Sequence, residues 1–492
     1  MKDDSKPKIR ILGLGPGDPR HLTREAWSVL QEASEVHLRT RQHPTTDGFP
    51  EHLRVFSFDD YYENGLSFPE IYQRIVERVM ELGRRPEGVL YGVPGDPWVA
   101  EATTPAIIER AQSQGIPYRV ISGLSFLEPV FAVLQTDPLP QTTVVDALEV
   151  ADLHHPPFPP DVPALVAQVY SPQVASHLKL TLNVVYPDHH PVLLIHGAGT
   201  LDQRVEDIHL YQMDRSQNIG NLTCLYLPPL PGGTSLESFQ EVIAHLRAPD
   251  GCPWDREQTH QSLRPHLLEE AYEVLAALDQ QDPEAMQEEF GDLLLQIVLH
   301  AQIGAEFGEF TMADILQSVN TKIVSRHPHV FQDLDLDQPE QVTQNWERIK
   351  AQERVEKGDA LGGLLQGIAP ALPALSQAQT IQKRVKRVGF DWPDKKGVVN
   401  KIQEELQELD QAQSIQERVH ELGDVIFSLV NLARWYQVDA ESALREANQR
   451  FQERFHRLEG WVNAEKRQLE DLSVEELNEL WEKAKQDHLE DR

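Results

Sequence analysis

A chain of 492 residues exceeds the ~100–200 residues of a typical domain, so two to four hydrophobic cores are expected. Hydrophobic residues at 40% and charged residues at 25% match soluble globular proteins and exclude a disordered or fibrous chain. A formal charge of -33 excludes sequence-independent nucleic-acid binding, which needs Lys and Arg to neutralise phosphates, but leaves room for a small anionic substrate bridged by a divalent cation.

The N-terminal MKDDSKPK is charged and lacks an apolar h-region, and no apolar run approaches the ~20 residues of a membrane span. Cys224 and Cys252 are the only cysteines, too few for a disulfide framework or a zinc cluster. A cytoplasmic protein with no membrane and no nucleic-acid partner is expected.

From Ile9 to about Leu227, short apolar runs alternate with amphipathic helical stretches, the pattern of an α/β fold. The runs include Ile9–Leu14, Gly88–Val93, Tyr118–Ile121, Ala164–Val169, Val192–His196 and Leu222–Leu227. In IRILGLGPGDPRHLT a Gly-rich turn, Gly13 to Pro19, stands between a strand and a helix, and a second loop, YGVPGDPWVA, follows the second run. Either loop alone is a weak signal for a phosphate or cofactor site. His154–Pro163 holds five prolines and cannot sustain helix or central strand, so it is expected to link two α/β lobes.

Pro228, Pro229, Pro231, Gly232 and Gly233 end this region, and long helical periodicity follows. The second half repeats itself. Glu270 and Glu273 match Glu405 and Glu408, Glu289, Gly291 and Asp292 match Glu421, Gly423 and Asp424, and Asn320 and Arg326 match Asn448 and Arg454. Trp346-Glu347-Arg348 likewise matches Trp481-Glu482-Lys483.

Within each copy, two glutamates three residues apart share one helix face, and a Glu and an Asp three apart share a face of the next helix. An isolated ExxE is ordinarily a solvated face, whereas paired ExxE and ExxD occurring twice point to a shared ligand. Asp292 and Asp424 run into Leu293–Leu295 and Val425–Phe427, stretches expected to be mostly buried, where an unpaired charge is costly. A divalent cation shared by the four carboxylates would compensate it. Gly291 and Gly423 inside these helices cost ~1 kcal/mol each relative to Ala, so a close neighbour is expected there.

These carboxylates, together with GCPWD (251–255), RHPHVF (326–331), VGFDW (388–392) and the Trp-Glu-Arg/Lys motifs, resemble the MazG branch of all-α nucleoside triphosphate pyrophosphohydrolases. The resemblance implies Mg²⁺-dependent (or Mn²⁺-dependent) cleavage of nucleoside triphosphates to the monophosphate and pyrophosphate. It also implies metal ligation and catalysis by Glu270, Glu273, Glu289 and Asp292, and by Glu405, Glu408, Glu421 and Asp424. Lys322, Arg326, Arg450 and Arg454 become triphosphate contacts, and Asn320 and Asn448 phosphate or ribose contacts. Trp346 and Trp481 become candidates for base stacking, with core packing equally open. His327 and His329 read as a turn around Pro328 and not as a zinc pair.

The two Gly-rich loops of the first half, in this order, resemble the tetrapyrrole methylase family over residues 8–230. That family holds S-adenosylmethionine between two lobes, which implies cofactor contacts by Pro16, Gly95, Asp96, Pro97, Val99 and Ser125. Ser122–Phe126 departs from the family's pattern, and a fold that only binds a nucleotide-like ligand is the alternative to methyl transfer.

The expected architecture is multidomain: a two-lobed α/β domain over 8–230, a linker over 231–250, and two all-α MazG units over 251–366 and 367–492. The order resembles YabN-type bacterial fusion proteins. A homodimer is expected, because broad apolar faces of the helical copies need covering. Competing readings are a tetrapyrrole methyltransferase with a regulatory helical half and a non-catalytic acidic scaffold.

Overall fold

The structure, a computed structural model, describes residues 7–62, 67–332, 334–336, 338–356 and 363–490. Its contacts divide into two compact units, Met1–Glu257 and Gln258–Arg492.

The first unit contains two five-stranded sheets. The first runs β3-β2-β4-β1-β5, from β1 (Ile9–Gly13), β2 (Glu35–Leu38), β3 (Arg54–Ser57), β4 (Val89–Val93) and β5 (Tyr118–Ile121). All its pairings are parallel, with Ile9 opposite both Val89 and Tyr118. Helices α1 (Arg24–Glu32), α2 (Phe68–Gly83) and α3 (Thr103–Ser113) are the crossovers, and α4 (Leu127–Leu134) follows β5. Buried on both faces, β4 is apolar throughout. The start of α2 is set by a Ser67–Glu70 capping box with Pro69 in the first turn, and Ile71, Ile75, Val79 and Leu82 fill its buried stripe.

The second sheet runs β6-β7-β10-β8-β9, from β6 (Thr143–Asp146), β7 (Ala164–Ala167), β8 (Pro191–His196), β9 (Arg204–His209) and β10 (Thr223–Leu227). Helices α5 (Ala147–Ala151) and α6 (Pro172–Leu182) pack on it around Leu178, Leu182 and Tyr186. The proline-rich segment 154–163 therefore does not join the lobes. It lies between α5 and β7, both in the second lobe, and the chain crosses over between α4 and β6. The stretch 231–250 is also more than a linker: Ser235 caps helix α7 (Leu236–Arg247), and short α8 (Pro253–Glu257) closes the unit. Asp161 ties α7 down by accepting from the Ser235 and Ser238 hydroxyls.

The second unit is helical: α9 (Arg264–Gln280), α10 (Pro283–Phe307), α11 (Met312–Arg326), α12 (Pro328–Phe331), α13 (Pro339–Glu356), α14 (Ala374–Lys386), α15 (Lys395–Gln411), α16 (Ile415–Trp435), α17 (Ala440–Ala464) and α18 (Val474–Glu490). Helices α9 and α10 form one hairpin and α15 and α16 its repeat. Asp282 and Pro283 start α10, and Gly308, at φ 69°, ends it. A Ser414–Glu417 capping box starts α16. The copies are tied together by an ion pair from Arg445 on α17 to Asp279 on α9, at 2.7 Å.

Candidate active sites

In the first unit the two Gly-rich loops meet. Gly15 and Gly95 exchange backbone hydrogen bonds, and a Cβ on Gly13 would lie 2.4 Å from the Gly123 amide, so the contact admits only glycine. Behind them lies a cavity of about 150 Å³ lined by Pro16, Gly95, Val99, Phe126, Gln168 and Cys224, among others. Ala100 (φ 53°) and Gln168 (φ 63°) on its wall adopt left-handed backbone, strain that tends to collect at ligand sites. Burial pushes the Cys224 thiol up to about 12, so it packs as a neutral side chain.

Three of the six cofactor positions expected from sequence, Pro16, Gly95 and Val99, line this cavity. The others serve the scaffold. Asp96 accepts from the Trp98 amide of its own loop and from the Gly123 amide, and so clamps its loop to the turn after β5, and Pro97 beside it is buried. Buried Ser125 donates to Glu128 and accepts from the Leu127 amide at the start of α4.

In the helical unit the sequence places Glu270 and Glu273 on α9 and Glu289 on α10, and their carboxylate oxygens lie within 4.8 Å of one another. Glu405, Glu408 and Glu421 on α15 and α16 form the same cluster. Partial burial raises the Glu270 pKa, followed by the charges of Asp292 and Glu273; Glu289 is raised by burial and then by Glu273. Asp292 thus acts on the cluster without belonging to its tightest core.

Asp292 and Asp424, expected to run into mostly buried stretches, are both exposed. Only one stripe of each helix is covered, with Gln296, Val298 and Leu299 on α10 and Val425 and Val430 on α16, while Leu294 and Ile426 stay about two-fifths exposed. On α9 likewise, Val274 and Ala277 are buried but Leu268 is not. A Cβ built on Gly291 or Gly423 meets no described atom within 4 Å, so no protein group supplies the expected close neighbour.

Residues 8–214 match the family model described as Tetrapyrrole (Corrin/Porphyrin) Methylases, and residues 258–331 match the MazG nucleotide pyrophosphohydrolase domain. The Bacillus subtilis "Uncharacterized protein YabN" is 38% identical over 493 residues, spanning 97% of this chain and 98% of that protein. The chain belongs to the YabN-type fusion family. Its two domains, methylase first and MazG second, appear in that order. The "Nucleoside triphosphate pyrophosphohydrolase/pyrophosphatase MazG" of Thermotoga maritima is 47% identical over 253 residues, or 51% of this chain and 96% of that one. The Escherichia coli "Nucleoside triphosphate pyrophosphohydrolase" is 40% identical over 260 residues, or 52% and 98%.

The two helical copies treat the expected cations differently. Arg326 is held by Glu353 at 2.6 Å and lies over the Trp346 ring, which Lys350 also covers. Lys322 lines a groove between α11 and α13 together with Glu353. In the second copy Arg450 pairs with Glu446 at 3.2 Å, the buried Arg454 Nε has no partner among the described residues, and Trp481 packs on Phe451 with ring centroids 4.8 Å apart. Asn320 and Asn448 are exposed. None of these residues lines the cavity at the second carboxylate cluster, where the residues sequence reasoning missed are found.

That cavity, about 540 Å³, is lined by Glu405, Asp424, Lys401, Phe390, Trp392 and Arg434, among others. Lys401, one turn before Glu405, reaches Glu405 at 2.7 Å and Glu404 at 2.8 Å, and these carboxylates raise its pKa and keep it charged. Its spacing i,i+4 from Glu405 was the available signal. Burial and then Glu405 raise the pKa of Glu408. The VGFDW loop is pinned by Arg434, which clasps the Asp391 carboxylate.

Proposed function

We propose that the helical unit hydrolyses nucleoside triphosphates to the monophosphate and pyrophosphate with the help of a divalent cation, and that the second copy carries most of the turnover. The observation that carries this reading is the carboxylate cluster Glu405, Glu408 and Glu421, whose Glu405 lines, with Asp424, a 540 Å³ cavity that has Phe390, Trp392 and Phe427 on its wall. The activities for which the Thermotoga maritima and Escherichia coli relatives are named support it.

The donor set fits Mg²⁺ or Mn²⁺: the ligands are hard oxygens, and Lys401 offsets only part of their charge. Glu405, Glu421 and Asp424 would hold the ion, which supplies Lewis acidity toward phosphate oxygens and water, and Glu408 is the member of the set left to act on the water. Lys401 orients Glu405 and presents positive charge toward the phosphates. Phe390 and Trp392 offer π-faces to the base. Glu408, its carboxyl pushed up, is placed to take the proton as water oxygen bonds to the α-phosphorus. The bond from that phosphorus to the bridging oxygen breaks, and pyrophosphate leaves with the electron pair. The open space at Gly423 leaves the triphosphate room to approach.

Phe290, Leu294 and Ile297 on α10 recur 132 residues later as Leu422, Ile426 and Leu429 on α16, and all six are 40–49% exposed. This repeated stripe supports a homodimer in which a second copy of the chain covers it. Among the described residues no helix is long and apolar enough to cross a membrane, and a cytoplasmic location belongs to this reading.

A second reading concerns the N-terminal unit, where the cavity at Pro16, Gly95 and Val99 is taken to bind S-adenosylmethionine. The strained Ala100 and Gln168 on its wall favour a ligand there.

Hydrolysis by the full chain in ¹⁸O-labelled water tests the principal reading. The label is expected in the nucleoside monophosphate alone; label in pyrophosphate, or release of orthophosphate and a diphosphate, would overturn it.

A further inference from the structure

The N-terminal unit contains a second cavity, about 380 Å³, that shares Arg39, His43, Pro94, Gln168, Asn221 and Leu222 with the cavity already described. Its remaining wall is strongly aromatic, with Tyr62, Phe68, Tyr72 and Tyr170. The Phe68 ring stacks 6.0 Å from Tyr72 and meets Tyr170 edge-on at 6.1 Å, yet stays 40% exposed.

The charged groups of this wall are already committed. Arg39 is paired through Nη1 with the buried Glu101 carboxylate. Asp59 accepts from the Thr40 hydroxyl at 2.6 Å and the Arg41 amide at 2.9 Å. Burial, and then the charge of Arg39, push His43 down to about 4, so it is neutral near neutral pH. Burial raises Tyr62 to about 12 and raises Tyr72 as well, so both phenols keep their protons. Arg39 is thus the one cation among the described residues lining the cavity, and Asp59 and Glu101 together outweigh it.

Corrin and porphyrin precursors carry several carboxylates around the ring, and binding such a polyanion calls for several free guanidinium or ammonium groups. This wall offers none. It does offer polar atoms in need of a partner: Arg39 Nε and His43 Nδ1 are buried without a hydrogen bond among the described residues. A buried polar atom left unpaired loses free energy that a ligand atom restores. Both residues belong to the wall shared by the two cavities, as does Gln168 in its left-handed conformation.

We propose that this second cavity binds a small, uncharged aromatic molecule bearing a hydrogen-bond acceptor, and not a polycarboxylate macrocycle. The ring lies among Tyr62, Phe68, Tyr72 and Tyr170, and the acceptor atom faces Arg39 Nε and His43. The proposal deepens the cofactor reading, since a molecule so held lies against the wall shared with the first cavity.

Calorimetric titration of the full chain with quinolin-4-one, with coproporphyrin III and, separately, with S-adenosylhomocysteine tests it. Quinolin-4-one is expected to bind saturably, about tenfold more weakly in Phe68→Ala, a substitution at an exposed ring that the core tolerates. Coproporphyrin III is expected not to bind. Saturable coproporphyrin III binding weakened by Phe68→Ala would overturn the proposal, as would no quinolin-4-one binding at millimolar concentration. S-adenosylhomocysteine binding in the first cavity is expected to be unchanged by Phe68→Ala, because Phe68 lines only the second cavity, so a failure of the cofactor reading is seen independently.

Discussion

The two carboxylate clusters of the helical unit have the same four positions and different electrostatics. In the first, Glu270 and Glu289 are pushed up by burial and by nearby carboxylates, and the sequences of α9 and α10 contain no lysine; the residue matching Lys401 is His266, which leans toward Glu269 at 3.7 Å. In the second, Lys401 bridges Glu404 and Glu405, and the cluster opens on a cavity bounded by Phe390 and Trp392. A duplicated ligand set therefore does not make duplicate sites. On the proposed reading, what surrounds the carboxylates decides which copy takes a nucleotide as well as an ion.

The largest expected contrast is between equivalent substitutions. Glu405→Gln should lower kcat for pyrophosphate release by about 10³-fold, the several kcal/mol that a metal contributes to phosphoryl charge stabilisation, whereas Glu270→Gln should cost less than about tenfold. Equal losses in steady-state assays would break the distinction between copies. A smaller effect is expected at the cavity wall: Phe390→Ala should raise KM about tenfold and leave kcat unchanged, because stacking acts equally on bound substrate and transition state.

Lys401→Met sharpens the comparison through pH. Lys401 lowers the pKa of Glu408, so its removal should move the acidic limb of the kcat profile to higher pH, and an unmoved limb would separate Glu408 from proton transfer. The smallest effect concerns stability. His300 lies with its Nδ1 2.7 Å from that of His260, and burial and then His260 lower its pKa below 6.5. A histidine lowered on folding contributes stability that is present above its unfolded pKa and lost as pH falls below it. Position 432, which matches His300, is Leu. Amide protection, taken relative to the intrinsic exchange rate at each pH, should therefore fall in α10 before α16 as pH falls from about 7 to about 5, and His300→Leu should remove the difference.

Much of this was legible in the sequence. Glu270, Glu273 and Glu289 converge, as do Glu405, Glu408 and Glu421, while Asp292 and Asp424 stay outside these clusters, and the six apolar runs of the first half became β1, β4, β5, β7, β8 and β10. Strands β3, β6 and β9 lie at sheet edges, where exposed positions take polar residues and blur the apolar signal. Missing β6 is what misplaced the join between the lobes. Asp292 was expected in a buried run because LeuLeuLeu reads as core, but a helix covered on one stripe leaves part of such a run in solvent. Lys401 sits in an otherwise ordinary charged helix face, and only the fold brings Phe390 and Trp392 beside it.

Metal-assisted hydrolysis is tested by following pyrophosphate release from a panel of nucleoside triphosphates by the full chain, with Mg²⁺, with Mg²⁺ chelated, and in the combined Glu270→Gln, Glu405→Gln variant. One monophosphate per pyrophosphate is expected, with activity lost on chelation and restored by Mg²⁺ or Mn²⁺, and none in a double variant whose helical circular dichroism is unchanged. Near wild-type turnover in that variant, or hydrolysis indifferent to chelation, would contradict it.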